Sequence, residues 1–174
     1  MIVLISPAKT LDYDPSAVSI KTQPEFKKEI GQLVEIMKKK SPNSIQKLMG
    51  VSENLAELNA GRYQRFSEVF NEENSKQALL AFKGDVYTHI DVASFSDEDF
   101  SFAQEHLRIL SGLYGLLRPM DMIQPYRLEM GIKLKNKRGK NLYEFWGDKI
   151  TNALNEIALG QPVINLASNE YFKA

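Results

Sequence analysis

A mixed α/β domain is what this sequence predicts, on three observations. Met1-Ile2-Val3-Leu4-Ile5 is apolar without polar alternation, the pattern of a strand buried on both faces. Short apolar stretches recur near residues 78–82, 109–113 and 163–166, giving three more buried strands. Four or five segments of helical periodicity lie between them, so a single domain with a mixed sheet and flanking helices follows. The strand order is left open.

The first strand must stop at Pro7, which has no N–H to donate to a ladder. Ser6, Lys9 and Thr10 are thereby delivered to the carboxyl end of a strand, where ligands bind in open α/β sheets. That set suits an anion such as a phosphate or carboxylate. A loop follows over residues 12–23, and Pro24 at a first helical position opens an amphipathic helix. Its apolar face carries Phe26, Ile30, Leu33, Val34 and Met37, and Lys38-Lys39-Lys40 suit its C-terminus. Ser41-Pro42 starts a short helix with Ile45, Leu48 and Met49, which Gly50 ends in a left-handed conformation. Ser52 caps the next helix, which carries Leu55, Ala56, Leu58 and Asn59.

Residues 42–60 thus resemble a helix–hairpin–helix centred on Gly50-Val51-Ser52. A tight hairpin presents backbone N–H groups, and the second helix adds the positive end of its dipole, so a phosphate docks there. Lys47 and the lysines at 38–40 add charge. Ser52 stands where the usual motif has a second glycine, which hinders close approach while offering a hydroxyl.

Ala78 to Phe82 reads as a strand closed by Lys83-Gly84-Asp85. Ser96 before Asp97-Glu98-Asp99 is a helix start, with Phe100, Ala103, Leu107 and Leu110 facing inward. Leu110 to Leu117 is apolar apart from Ser111, with glycines at 112 and 115 marking close backbone approach or a turn. A loop then carries Arg118, Arg127 and Glu129. Arg127 with Glu129 reads first as a structural ion pair; aimed into a cleft, the guanidinium fork would suit phosphate. From Gly131 to Lys140, five of ten residues are basic: Lys133, Lys135, Lys137, Arg138 and Lys140. The alternation over 132–135 predicts an edge strand, with 136–140 as its turn. Such a ribbon either deters edge aggregation or tracks phosphates. Leu142 to Leu159 reads as one last helix with Phe145, Trp146, Ile150, Leu154 and Ile157 inward, before the strand at 163–166.

Composition narrows the classes. The 174 residues are 43% hydrophobic and 25% charged, enough for a real core. No apolar stretch is long enough to span a membrane, and the N-terminal run is too short for a signal peptide, so a cytoplasmic protein is expected. With no cysteine and only His89 and His106, thiolate chemistry and a histidine metal cage are excluded, and neither metal nor cofactor is expected. His106 is assigned no role. Net charge is zero, so any polyanion contact must come from local patches.

Six blocks carry a family resemblance. They are Met1 to Tyr13, Phe82 to Tyr87, Leu110 to Pro119, Gln124 to Gly131, Leu142 to Asp148 and Ile164 to Lys173. In this order they resemble the YaaA family of bacterial peroxide-stress proteins, whose members continue beyond the last block, so the chain looks like a member truncated at its C-terminus. The resemblance implies a fold distinctive to the family with a basic cleft and the hairpin module. It also implies a role in hydrogen peroxide stress that lowers unincorporated iron and limits DNA damage.

The expected function is therefore DNA binding led by phosphate and shape, to double-stranded or structured DNA with low sequence specificity. The candidate contacts are Ser6, Lys9, Thr10, Lys47, Gly50, Val51, Ser52, Arg118, Arg127, Lys133, Lys135, Lys137, Arg138 and Lys140. The alternative is an enzyme acting on a nucleotide or nucleic acid. Lys9 would then be clamp or nucleophile, Ser6 and Thr10 would hold phosphate, and Asp85 or Glu129 would supply a carboxylate. No Ser-His-Asp order, Walker loop or metal-ligand spacing supports it. Direct iron storage fares worst, because no Glu-x-x-His motif is present.

Overall fold

The computed structural model describes residues 1–174. The N-terminal apolar run forms β1 (Ile2–Ile5), and β2 (Thr10–Leu11) follows the Pro7 turn. Helices α1 (Lys27–Lys38), α2 (Pro42–Met49) and α3 (Glu53–Arg65) come next, then β3 (Lys76–Gln77), α4 (Ala78–Ala81), β4 (Phe82–Lys83) and α5 (Asp85–Thr88). A 3₁₀ turn at Val92–Ser94 precedes α6 (Asp97–His106), which runs into β5 (Leu107–Ser111), β6 (Gly115–Leu117) and β7 (Met122–Ile123). The chain closes with α7 (Leu142–Trp146), α8 (Lys149–Ala158), β8 (Val163–Asn165) and α9 (Asn169–Phe172). No helix is long and apolar enough to cross a membrane.

The main sheet has the order β6-β5-β1-β8. Parallel pairing joins β1 to β5 (Val3 opposite Leu107) and to β8 (Ile2 opposite Val163), while β5 and β6 are antiparallel. The predicted mixed sheet within one α/β domain is what forms. Because β1, β5 and β8 run the same way, their carboxyl ends open on one edge. One contiguous core, from Ile2 through Leu33, Ile109 and Trp146 to Tyr171, unites sheet and helices.

Local signals place the helix ends well. The Ser41 hydroxyl accepts from the Ser44 amide with Pro42 in the first turn, Ser52 caps α3, and Ser96 with Asp99 completes a capping box. Gly50 ends α2 at φ +62°, so the two helices meet in a tight corner at Gly50–Ser52.

Several expectations need correction. Residues 78–81 form one helical turn and not a strand. Alanine and leucine favour helix, and the Ala78 and Leu79 amides donate to the Asp121 and Pro119 carbonyls, not to a sheet. Helix α1 begins at Lys27, and Pro24 lies outside it; Phe26 packs edge-on against Trp146 at 5.4 Å. Leu107 and Leu110 belong to β5, not to the end of α6. The final helix is two helices, broken at Gly147 with φ +50° and ψ −129°. Residues 132–135 make no strand. The Leu134 amide turns back to the Ile132 carbonyl, and the Asn136 side chain ties Leu134 to Asn141. Strand β8 is not buried: it pairs only with β1 at the sheet edge, leaving Val163, Ile164 and Leu166 exposed by 43%, 40% and 67%.

Candidate functional site

At the carboxyl edge of the sheet, the exits of β1 and β8 are tied together. Ser6, one residue past β1, accepts at Oγ from the Ser168 amide at 2.9 Å, and its carbonyl accepts the Tyr87 hydroxyl at 2.8 Å. The turn at Pro7 then swings Lys9 over this edge. The third wall is the segment Tyr126–Glu129. Its position depends on Gly112, where β5 exits, because no side chain would fit between that backbone and Leu128.

Glu129 is the electrostatic centre. Arg127 donates Nε and Nη2 to Glu129 Oε1 at 3.3 and 3.1 Å, so the sequence-predicted ion pair forms. Lys9 Nζ lies 3.8 Å from the same oxygen, its side chain 67% exposed against 15% for Glu129. The Tyr63 hydroxyl holds the Arg127 carbonyl at 2.8 Å. Glu170 closes the rim, accepting the Gly131 amide at 2.7 Å, while the Tyr143 hydroxyl binds its carbonyl. The pocket these walls form opens to solvent, measures about 180 Å³ and is lined by Ser6, Lys9, Tyr126, Arg127, Glu129, Ser168, Glu170 and Tyr171, among others. Burial pushes the hydroxyls of Tyr63, Tyr126 and Tyr171 well above the ordinary phenol range, so each is a neutral donor at physiological pH.

The remaining sequence-selected residues lie elsewhere. Thr10 pairs with Lys83 in the β2–β4 ribbon, and Asp85 starts α5; neither lines the cavity. Arg118 clasps Asp121 at 2.9 Å and the Gln23 carbonyl at 2.9 Å. Arg138 stacks 4.5 Å over the Phe145 ring and bonds Glu29 at 3.1 Å, with Lys149 3.3 Å from the same carboxylate oxygen. Burial raises the Glu29 carboxyl, but the bonds from Arg138 and Lys149 outweigh it and hold it below the ordinary value. Lys47 lies in the last turn of α2, exposed, before Gly50, Val51 and Ser52. Lys133, Lys135, Lys137 and Lys140 are exposed and form no ion pair. Lys137 shares a groove of about 400 Å³ with Lys39, Gln32 and Phe145.

Tyr126, Ser168, Glu170 and Tyr171 were not singled out from the sequence. Ser168 had a readable signal: it follows the apolar run at 163–166 as Ser6 follows β1, a polar exit on the same sheet edge.

The loop that carries Lys9 is anchored from below by Asp12. Its carboxylate accepts the Asp14 amide at 2.7 Å and pairs with Lys83 at 2.9 Å and Lys76 at 3.6 Å. The Asp14 amide first, then Lys83, bring its pKa down from 3.8 to about 2. A depressed carboxylate stabilises the fold above its unfolded pKa and stops doing so as pH falls through the folded one. Asp12→Asn is expected to lower stability at neutral pH by about 1 kcal/mol, since the pairs are half-buried and partly screened by solvent, and asparagine still accepts the Asp14 amide. The gap between variant and wild type closes between pH 3.8 and about 2. Urea melts across that range check it; a gap that widens on acidification would contradict the anchor.

Two comparisons match this chain along its length. The family model described as "Peroxide stress protein YaaA" matches residues 1–174. A protein of Hahella chejuensis named "UPF0246 protein" is 56% identical over 178 aligned residues, covering 100% of this chain and 70% of that protein. The cavity segments, from Ser6–Lys9 through Tyr126–Glu129 to Ser168–Tyr171, all fall inside the matched span. On these matches the chain belongs to the YaaA family of peroxide stress proteins.

Proposed function

We propose that the protein is a cytoplasmic, DNA-binding member of the peroxide-stress response that limits intracellular free iron and oxidative DNA damage. It grips the phosphate backbone of double-stranded or structured DNA with little base preference. The observation that carries this reading is the segment after Glu129, where Lys133, Lys135, Lys137 and Lys140 are exposed with no acidic partner. Arg118 and Arg127, by contrast, are held by Asp121 and Glu129, and within the segment itself Arg138 is held by Glu29. Four unneutralised charges on one short segment are what a polyanion recruits through counterion release, whatever the net charge. Lys39, across the groove from Lys137, extends the patch, and the Gly50–Ser52 corner with Lys47 adds a second phosphate contact.

The test replaces Lys133, Lys135 and Lys137 with glutamate and measures affinity for duplex DNA from low to moderate salt. Binding is expected to weaken by about tenfold to a hundredfold at low salt, and the log–log salt slope to shrink by up to about 2.7, each lost phosphate contact removing about 0.9. All three side chains are exposed, so the thermal midpoint serves as a fold control. An affinity that tracks wild type at every salt concentration would refute the phosphate-gripping reading.

A further inference from the structure

The cavity beside Lys9 has a chemistry that phosphate gripping does not use. Its charges cancel, with Lys9 and Arg127 facing Glu129 and Glu170. A neutral, mixed lining does not concentrate phosphate. It reads a ligand that presents an acceptor beside donors.

Glu129 is unevenly satisfied. Oε1 takes both Arg127 N–H groups and faces Lys9, whereas Oε2 is buried and has no hydrogen-bond partner. Leaving a buried acceptor unmet is destabilising, the more so when it is charged. Such atoms in folded proteins call for a partner. Glu129 lines the pocket, and its terminal torsion is broad, so the carboxylate can adjust to meet a donor there. Beside it, Lys9 Nζ is a donor at 3.8 Å from Oε1. The pocket therefore offers one donor next to one acceptor group.

We propose that this cavity binds the lactam edge of a guanine-type base, free or as its nucleoside. The ring carbonyl accepts from Lys9, and the adjacent ring N–H and exocyclic amine donate to the Glu129 carboxylate. Tyr126 and Tyr171 supply aromatic wall for the flat ring. The pocket, about 180 Å³, opens to solvent, so the lactam edge of a base enters it while the far side of the ring system and the sugar lie at the rim, where Lys9 meets solvent. Adenine reverses the pattern, setting an amine against Lys9 and a ring lone pair against the carboxylate, so it is rejected by unpaired buried groups. The site stands independently of the lysines at 133–140.

Isothermal titration of the protein with guanosine, inosine and adenosine tests it. Guanosine is expected to bind saturably, inosine more weakly for want of the amine, and adenosine at least about tenfold more weakly, as for one charged hydrogen bond lost. Glu129→Gln is expected to reduce guanosine affinity by about tenfold or more. Because that change also strips Arg127 of its counter-charge, Lys9→Met at the exposed rim is the fold-safe companion. It should keep the thermal midpoint and lose guanosine affinity to a similar degree. The triple glutamate variant should bind guanosine as wild type does, whatever happens to its DNA affinity. No saturable binding of guanosine into the millimolar range, equal affinity for adenosine, or an unaffected Lys9→Met variant would each overturn the proposal.

Discussion

Trp146→Ala is expected to destabilise the protein by about 3–5 kcal/mol, the range for removing a fully buried large aromatic. Trp146 is 1% exposed and holds three parts of the molecule together. Its ring meets Phe26, ahead of α1, at 5.4 Å and Phe145 at 5.3 Å, both edge-on. Its indole N–H donates to the Gly112 carbonyl at 3.0 Å, at the exit of β5. The far side of the indole lies against Gly115, where a Cβ would come within 2.7 Å of the ring. Alanine therefore leaves a cavity that neither glycine can fill, and it leaves a buried carbonyl unmet. For a chain of this size about 2–4 °C is lost per kcal/mol, so the melting temperature should fall by about 6–20 °C. Trp146→Phe keeps the aromatic contact but loses the N–H and part of the volume, so its effect should be smaller, about 1–3 kcal/mol. Trp146 is the sole tryptophan, so wild-type fluorescence reports this site directly, and circular dichroism serves for the variants. A loss below about 1 kcal/mol for the alanine variant would mean that the site collapses without a void.

What the sequence made legible follows from the range of the signals. Strand β1 was readable because burial on both faces leaves an unbroken apolar run, and Pro7 marks its end. Ser41, Gly50, Ser52 and Ser96 were readable because capping is decided within four residues. The errors arose where a distant partner decides. Ala78–Ala81 has the apolar content of a strand, yet its amides are claimed by the 119–121 turn. The basic alternation at 132–135 joined no strand: the Leu134 amide turned back to the Ile132 carbonyl. Gly147 broke the last helix through a backbone angle that composition does not announce.

The site was half legible for the same reason. Lys9, Arg127 and Glu129 carried their chemistry in their types and loop positions, so they were selected. Their meeting was not readable. The bond from the Ser168 amide to Ser6 spans 162 residues, and Lys9 reaches Glu129 across 120 positions of the chain. Which cations are spent on internal acids was hidden too. Arg138 looked like one more member of a basic ribbon until Glu29, 109 residues away, proved to be its partner.

Gly112→Ala should unfold more of this architecture than its one added methyl suggests. A Cβ at Gly112 would fall on the Leu128 carbonyl oxygen, and within 3.0 Å of the Glu129 and 3.1 Å of the Leu128 carbonyl carbons. These are backbone atoms, which cannot swing aside as a flexible side chain does. Retreat in the other direction is blocked, because the Gly112 carbonyl is held by Trp146 and the neighbouring Ser111 hydroxyl is bonded to Tyr126 at 2.7 Å. Overpacking typically costs about 1–3 kcal/mol, and with backbone on the receiving side the upper end is expected, near 3 kcal/mol. The strain has a direction: it pushes Leu128 and Glu129 away from β5, so the pocket beside Lys9 should lose its carboxylate wall before the rest of the fold yields. Gly31→Ala is the matched control. It lies within α1 with nothing within 4 Å of the added Cβ, so the better helix former should raise stability by up to about 1 kcal/mol. Chemical denaturation of the two variants should thus give shifts of opposite sign. Equal shifts, or a Gly112→Ala protein as stable as wild type, would mean that the Tyr126–Glu129 segment is free to move, and Glu129 could not then be held in a fixed pocket.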